Sequence, residues 1–142
     1  MVMIRGGVKI WISLALLVCL SACSGPVGPG LTDFDADLIH GYTLDEWSAS
    51  NVTIHKESST KGTGVSASVV SLGFDDRFIL AKRQIMDARG FKPIPGQVEF
   101  WIIDASVEVQ YGPFTEDEFT AKRKVLSVPD KITLWGTDWY RP

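Results

Sequence analysis

VEFWIID, residues 98–104, is the most apolar run of the chain outside its first 22 residues. Phe100 and Ile102 fall on one face of an extended chain, because the side chains of a strand alternate between its two faces. Trp101 and Ile103 fall on the other face, so both faces carry large apolar side chains. A strand that is apolar on both faces is typical of the interior of a sheet. We therefore predict that residues 98–104 form the central strand of the fold.

Six further runs are rich in β-branched residues or alternate between apolar and polar positions, which predicts six more strands. They are residues 39–44, 51–56, 65–72, 77–86, 107–111 and 132–135. A short turn at residues 73–76 joins the third of these runs to the fourth, so we expect these two runs to form an antiparallel hairpin. Residues 57–64 and 87–97 are rich in Gly, Pro, Ser or Lys, which predicts two loops without regular structure.

One helix is predicted, over residues 115–127. Thr115 and Glu118 stand three residues apart in the pattern of a capping box, in which each side chain accepts from a backbone N–H of the other residue. Acidic residues in the first turn and basic residues toward the end complement the helix dipole. The side chains that we expect to face a sheet are Phe119, Val125 and Leu126. The sequence therefore predicts an α+β fold, mainly antiparallel β, in which this helix packs on a small single sheet or a partly open barrel.

The start of the chain differs in character from the rest. Arg5 and Lys9 precede an almost uninterrupted apolar stretch at residues 10–20. This stretch is shorter than the roughly 20 apolar residues that cross a bilayer stably. A basic start followed by a short apolar stretch is typical of an export signal. The stretch ends in Leu20-Ser21-Ala22-Cys23, and we predict that residues 1–22 are a signal peptide.

Residues 20–23 resemble the lipobox of bacterial lipoproteins. The resemblance implies that the Cys23 thiol takes a diacylglyceryl group, that a lipoprotein signal peptidase cuts before Cys23, and that acyl chains such as palmitate hold the protein on a lipid bilayer. Two or more acyl chains anchor a protein stably. In a Gram-negative host, Ser24 in place of an aspartate favours the outer membrane, facing the periplasm; in other hosts the anchor would lie on the outer face of the cell membrane. An ordinary secretory signal and a cytosolic protein with two thiols are the alternatives.

Residues 23–37 combine Gly and Pro with three aspartates and show no apolar periodicity, so we interpret them as the lipidated cysteine and a flexible tether. Residues 38–142 are then a single globular β-rich domain, because about 110 residues suit one core. Loss of the signal peptide removes two of the 14 basic residues and none of the 17 acidic ones, which changes the formal charge from −3 to about −5. An acidic protein without a clustered basic surface is not expected to bind nucleic acid.

No catalytic or metal-binding pattern is visible after the tether. His40 and His55 are the only histidines, and neither has a second ligand at the spacing that zinc sites use. Asp45-Glu46 and Asp75-Asp76 are adjacent carboxylates, and adjacent residues of a strand point to opposite faces. We therefore predict that the protein is not an enzyme and that it holds no metal and no cofactor.

Three aromatic residues lie near the end of the chain: Trp135, Trp139 and Tyr140. One interpretation is that the two tryptophans fold back and cap the small core. The other is that the three residues form an aromatic binding patch, because Trp and Tyr are enriched in interface hot spots.

The segments FWIID (100–104), YGPF (111–114) and EF (118–119) resemble small bacterial lipoproteins that carry an uncharacterised domain. The resemblance implies the order strand, hairpin, turn and helix, and it transfers no activity. We predict a membrane-anchored lipoprotein that serves as a non-catalytic binding module for an envelope protein. One alternative is an inhibitor or immunity-type protein against an envelope-acting toxin or a lysozyme-like enzyme, whose basic surface the acidic charge would attract. A structural or assembly lipoprotein is the other alternative.

Overall fold

The structure, a computed structural model, describes residues 34–48, 50–90 and 92–140, with the backbone alone at Trp139 and Tyr140. These residues contain eight strands, one α-helix and a terminal 3₁₀ turn, joined by turns and loops. In chain order they are β1 (Phe34–Asp37), β2 (Thr43–Ser48), β3 (Asn51–His55), β4 (Val69–Phe74), β5 (Phe78–Met86), β6 (Pro93–Asp104), β7 (Val109–Phe114), α1 (Glu116–Val125), β8 (Trp135–Gly136) and the turn Thr137–Tyr140. The predicted α+β class, mainly antiparallel with one helix in the C-terminal half, is confirmed.

The strands divide between two sheets, whereas the sequence predicts a small single sheet or a partly open barrel. β1, β2 and β3 form a three-stranded sheet in chain order, and the other strands form a five-stranded sheet in the order β7-β6-β5-β4-β8. All of these pairs are antiparallel. An isolated bridge joins Ile54 of β3 to Val65, in the segment that leads into β4. The sequence leaves this division open because strands of both sheets show the same alternation.

The five-stranded sheet lies between two layers, and each of its faces packs on a different core. Ile103 and Ile79 pack against Leu44 and Ile54 of the three-stranded sheet. Ile102 and its neighbours on the opposite face pack instead under α1 and the segment that follows it. This arrangement explains why β5 and β6 are apolar on both faces. Residues 98–104 are confirmed as an interior strand, since β5 and β7 flank β6.

β6 begins earlier than predicted, at Pro93, within the segment 87–97 that we expected to be a loop. Pro93 pairs with Met86 of β5, whereas the pairing of β6 with β7 involves Phe100 and the residues after it. At Pro93 and Pro95, the side of β6 that faces away from β5 is therefore a sheet edge. A proline is tolerated at such an edge, because the N–H that it lacks would have had no partner in a neighbouring strand. The strong loop signal of the prolines was misleading for this reason.

The start of the globular part also differs from the prediction. β2 begins at Thr43, and a turn precedes it, in which Leu38 N donates to the Tyr42 carbonyl oxygen at 2.8 Å. The predicted strand over residues 39–44 is therefore mostly turn. Residues 34–37, at the end of the segment that we interpret as a tether, form β1 and pair with β2. Phe34 and Ala36 of this strand pack against the core, which explains why it adds to the sheet.

Helix α1 confirms the predicted capping box. Glu118 N donates to Thr115 Oγ1 at 3.4 Å, and Thr115 N donates to Glu118 Oε2 at 2.8 Å. Phe119 is buried and its ring stacks on Phe100 with 5.0 Å between the centroids. Val125, which we expected to face the sheet, is 75% exposed. Val125 lies six residues after Phe119, which places it about 120° around the helix axis from Phe119. Its side chain therefore points away from the sheet.

The loop after β3 is attached to the turn between β6 and β7. Glu108 Oε1 accepts a hydrogen bond from Lys56 Nζ at 2.6 Å, and Lys61 Nζ donates to the carbonyl oxygen of Val107 at 2.9 Å. Ser59 Oγ donates to the other oxygen of Glu108 at 3.4 Å. These contacts join the end of one sheet to a hairpin of the other.

Candidate functional site

Trp135 forms part of the wall of an apolar groove at the edge of the five-stranded sheet. It pairs with Leu72 of β4 through β8, yet the residue is 63% exposed. The groove has a volume of about 350 Å³ and is lined by two parts of the chain, residues 72–74 of β4 and residues 131–133 with Trp135. An exposed indole beside an apolar groove is a feature of ligand and partner sites, because burying it on binding removes a large apolar area from water.

Gly73 determines how closely the two sides of the groove approach each other. A Cβ atom at this position would lie 2.0 Å from the carbonyl oxygen of Thr133 and 3.3 Å from Ile132 Cγ2. Because no side chain fits in this space, only glycine lets the main chain at residues 132–133 lie directly on β4. The residue therefore fixes the position of one side of the groove relative to the other.

Lys131 supplies the cationic group of this groove. It is exposed, and we find no ion-pair partner for it among the residues that the structure describes. Asp75 follows directly after β4, but its Oδ1 accepts from the backbone N–H groups of Arg77 and Phe78, at 2.9 and 2.8 Å. This carboxylate is thus used within its own turn. The groove can accommodate an apolar group and place an anionic group beside Lys131.

The structure describes part of the predicted site residues. It places Trp135 at the groove, so this indole does not cap the core as one interpretation expected. The side chains of Trp139 and Tyr140 lie outside the described residues, as do Cys23 and the lipobox residues Leu20, Ser21 and Ala22. The aromatic patch therefore has one described member, and the lipidation site stays a prediction.

The sequence did not reveal the part of the groove that β4 contributes. We assigned Gly73 to a turn, whereas it lies inside β4 and contacts the segment after α1. An isolated glycine within a strand pattern often marks a close approach of another main chain. That signal was present at Gly73, but the sequence does not show which segment approaches it.

The two histidines make structural contacts. His55 Nδ1 lies 2.9 Å from Asp45 Oδ2 on the solvent face of the three-stranded sheet. Burial raises the pKa of the Asp45 carboxyl, and the nearby charges of Asp35 and Glu57 raise it further, while His55 acts in the opposite direction. His40 Nε2 lies 2.9 Å from the carbonyl oxygen of Asp76, so this nitrogen donates the hydrogen bond.

The ion pair between Arg77 and Asp104 connects the β4–β5 turn to the end of β6. Arg77 Nη2 donates to Asp104 Oδ2 at 2.7 Å, and Ser106 Oγ donates to Asp104 Oδ1 at 2.6 Å. Burial acts to raise the pKa of the Asp104 carboxyl, but the hydrogen bonds from Arg77 and Ser106 outweigh it and the pKa lies below its ordinary value. The same hydrogen bond raises the pKa of Arg77. Asp104 is therefore an ionised structural carboxylate.

In residues 34–48, 50–90 and 92–140, no three or more His, Cys, Asp or Glu side chains are arranged to hold a metal ion. None of the helices in these same ranges has the length and apolar character needed to span a membrane.

Comparison with known proteins gives one match. Residues 39–138 match the sequence profile of a protein family described as "Protein of unknown function (DUF3997)". No curated protein matches the chain at a significant level. No solved structure matches it at that level either.

Proposed function

We propose that the chain, which belongs to this family of proteins of unknown function through residues 39–138, is a bacterial lipoprotein whose globular part is a non-catalytic binding module of the cell envelope. The observation that carries the binding role is the apolar groove beside the exposed indole of Trp135. The anchor rests on the sequence at residues 20–23 and on the Gly- and Pro-rich residues that follow. In a Gram-negative host the module would face the periplasm from the outer membrane; otherwise it would lie on the outer face of the cell membrane.

The anchor is tested with the two cysteines of the chain, which provide a matched pair of variants. Cells that express the full chain are fed an alkyne-tagged palmitate, and the labelled protein is followed through membrane fractionation. We expect Cys23→Ala to lose the acyl label and to leave the membrane fraction or accumulate uncut, and Cys19→Ala to behave like the wild type. A Cys23→Ala protein that kept both its acyl label and its membrane association would refute the anchor.

The binding role is tested by photo-crosslinking in intact cells. A photoreactive group at position 133, in the wall of the groove, is compared with one at exposed Thr120 on α1. Stoichiometric crosslinks to an envelope component from position 133, with none from position 120, would support the binding role of the groove. Crosslinks of equal yield from both positions would count against it.

A second candidate function is inhibition of a basic envelope-acting enzyme. It is favoured by Asp35, Asp37 and Asp45, which lie on the solvent face of the three-stranded sheet. Acidic surfaces accelerate association with basic proteins, and this effect weakens as salt is added. We expect Asp35→Asn with Asp37→Asn to slow association with a lysozyme-type enzyme at low salt, whereas Asp117→Asn on α1 should not. Association that is independent of salt would argue against this candidate.

A further inference from the structure

We propose that the groove beside Trp135 binds a small apolar monocarboxylate, with the apolar part against the indole and the carboxylate beside Lys131. The proposal rests on the binding role proposed above and names the ligand class. Three observations carry it: the size of the groove, the composition of its walls and the charge at its rim.

The size and walls of the groove favour a small molecule. Ligand pockets in proteins range from about 300 to 1,000 Å³, and this groove, at about 350 Å³, lies at the lower end. It is lined by the exposed indole of Trp135 and by the half-buried Phe74, together with Leu72 and Ile132, whose own side chains are almost fully buried. Walls of this kind stabilise a hydrocarbon or aromatic group by removing it from water.

The charge at the groove favours an anion. Lys131 lines the groove and, within the described ranges, has no carboxylate paired with it, whereas Lys56 and Arg77 are both held by acidic partners. Asp75 is oriented into its own turn by two backbone N–H groups. A ligand carboxylate would therefore meet a cation whose charge the protein leaves available for a partner.

The charge also limits the ligand to one negative group. Lys131 supplies a single positive charge, and the other groove residues are apolar, glycine or threonine. A phosphate monoester carries nearly two negative charges and needs several donors, which these walls do not provide. A monocarboxylate requires one cation and leaves the remaining surface for apolar contact.

The test uses the full chain in lipid nanodiscs and 3-(4-fluorophenyl)propionate as the probe, observed by fluorine NMR. The probe's amide has the same apolar part without the charge, and empty nanodiscs correct for partition into lipid. We expect the acid to bind and the amide to bind about fivefold more weakly, which is the range for one solvent-exposed ion pair. Lys131→Gln should weaken the acid by a similar factor and leave the amide unchanged.

A variant of the indole and two control variants complete the test. Trp135→Ala should weaken both probes, whereas Trp47→Ala, which removes an indole that is also exposed, should change neither. Lys124→Gln serves as the matched control for Lys131→Gln. Equal binding of acid and amide, or equal effects of Lys124→Gln and Lys131→Gln, would overturn the proposal. If the wild-type protein takes up the palmitate label but does not bind the fluorophenyl acid, the ligand class is refuted and the anchor is not. If it binds the acid but takes up no label, only the anchor is refuted.

Discussion

Glu108 and Lys56 are 52 residues apart in the chain, yet Glu108 Oε1 lies 2.6 Å from Lys56 Nζ. Glu108 stands in the turn between β6 and β7 with a φ of 53°, and Lys56 directly follows β3. The Lys56 ammonium group also lies 5.5 Å from the centroid of the Tyr42 ring. This pair therefore fastens the loop after the three-stranded sheet to a hairpin of the five-stranded sheet.

Glu108→Gln should lower the stability of the fold in a pH-dependent manner. The hydrogen bond from Lys56 holds the pKa of Glu108 below its ordinary value of 4.5. Because the pKa is lowered on folding, the stabilisation is fully present above the unfolded-state pKa and is lost as the pH falls through the folded-state pKa. Urea midpoints should therefore differ between wild type and variant at pH 7 and converge at acidic pH. A difference that stayed constant down to pH 3 would contradict this origin.

Asp104→Asn should destabilise the protein by about 1 to 3 kcal/mol. It replaces a buried carboxylate, which accepts hydrogen bonds from Arg77 and Ser106, with a neutral amide. Chemical denaturation of the full chain measures the change. Asp76→Asn, at an exposed position of the neighbouring turn, is the matched control and should change the free energy of unfolding by less than about 0.5 kcal/mol. Similar losses in both variants would show that the buried position of Asp104 is unimportant.

Gly73→Ala should damage both the fold and the groove. Its Cβ would overlap the carbonyl oxygen of Thr133, so residues 131–133 must move away from β4 at a cost of about 1 to 3 kcal/mol. We expect lower thermal stability together with weaker binding of the fluorophenyl probe. Gly136→Ala is the control, since a Cβ there meets no atom within 4 Å. A Gly73→Ala protein with wild-type stability would disprove the close approach.

Thr115→Ala should remove the N-terminal cap of α1. The Thr115 side chain accepts from Glu118 N, and the reciprocal backbone hydrogen bond to Glu118 lowers the pKa of that carboxyl. Loss of a threonine cap costs about 1 kcal/mol. Thr120→Ala, on the exposed surface of the same helix, should leave stability unchanged or raise it slightly, because alanine favours the helix. Circular dichroism during urea unfolding distinguishes the two variants.

The helix and the interior strand could be predicted because their determinants are local. The capping box needs Thr115 and Glu118 three residues apart, and the two-sided apolar pattern of β6 is visible in residues 98–104 alone. The start of β6 could not be predicted, since whether Pro93 is tolerated depends on which neighbouring strand lacks a partner at that point. That property belongs to the sheet and not to the segment.

The groove was only partly predictable for a similar reason. Trp135 could be selected from its residue type, because tryptophan is enriched in interface hot spots. Leu72 and Phe74, however, look like ordinary strand residues, and Lys131 looks like an ordinary surface lysine. They meet because the chain after α1 returns across Gly73, over nearly sixty residues of sequence. No local pattern carries that information.

The layered packing has a consequence for the order in which the chain is made. Leu44 and Ile54 belong to the sheet that is translated first, but the surface that covers them is formed later by Ile79 and Ile103. β4 and β5 supply the first part of this cover, and until β6 has been synthesised the part that Ile103 contributes is missing, which leaves apolar surface to chaperones and proteases. A chain that ends before β6 is complete therefore lacks the Ile103 side of this core and the strand that β5 and β7 flank.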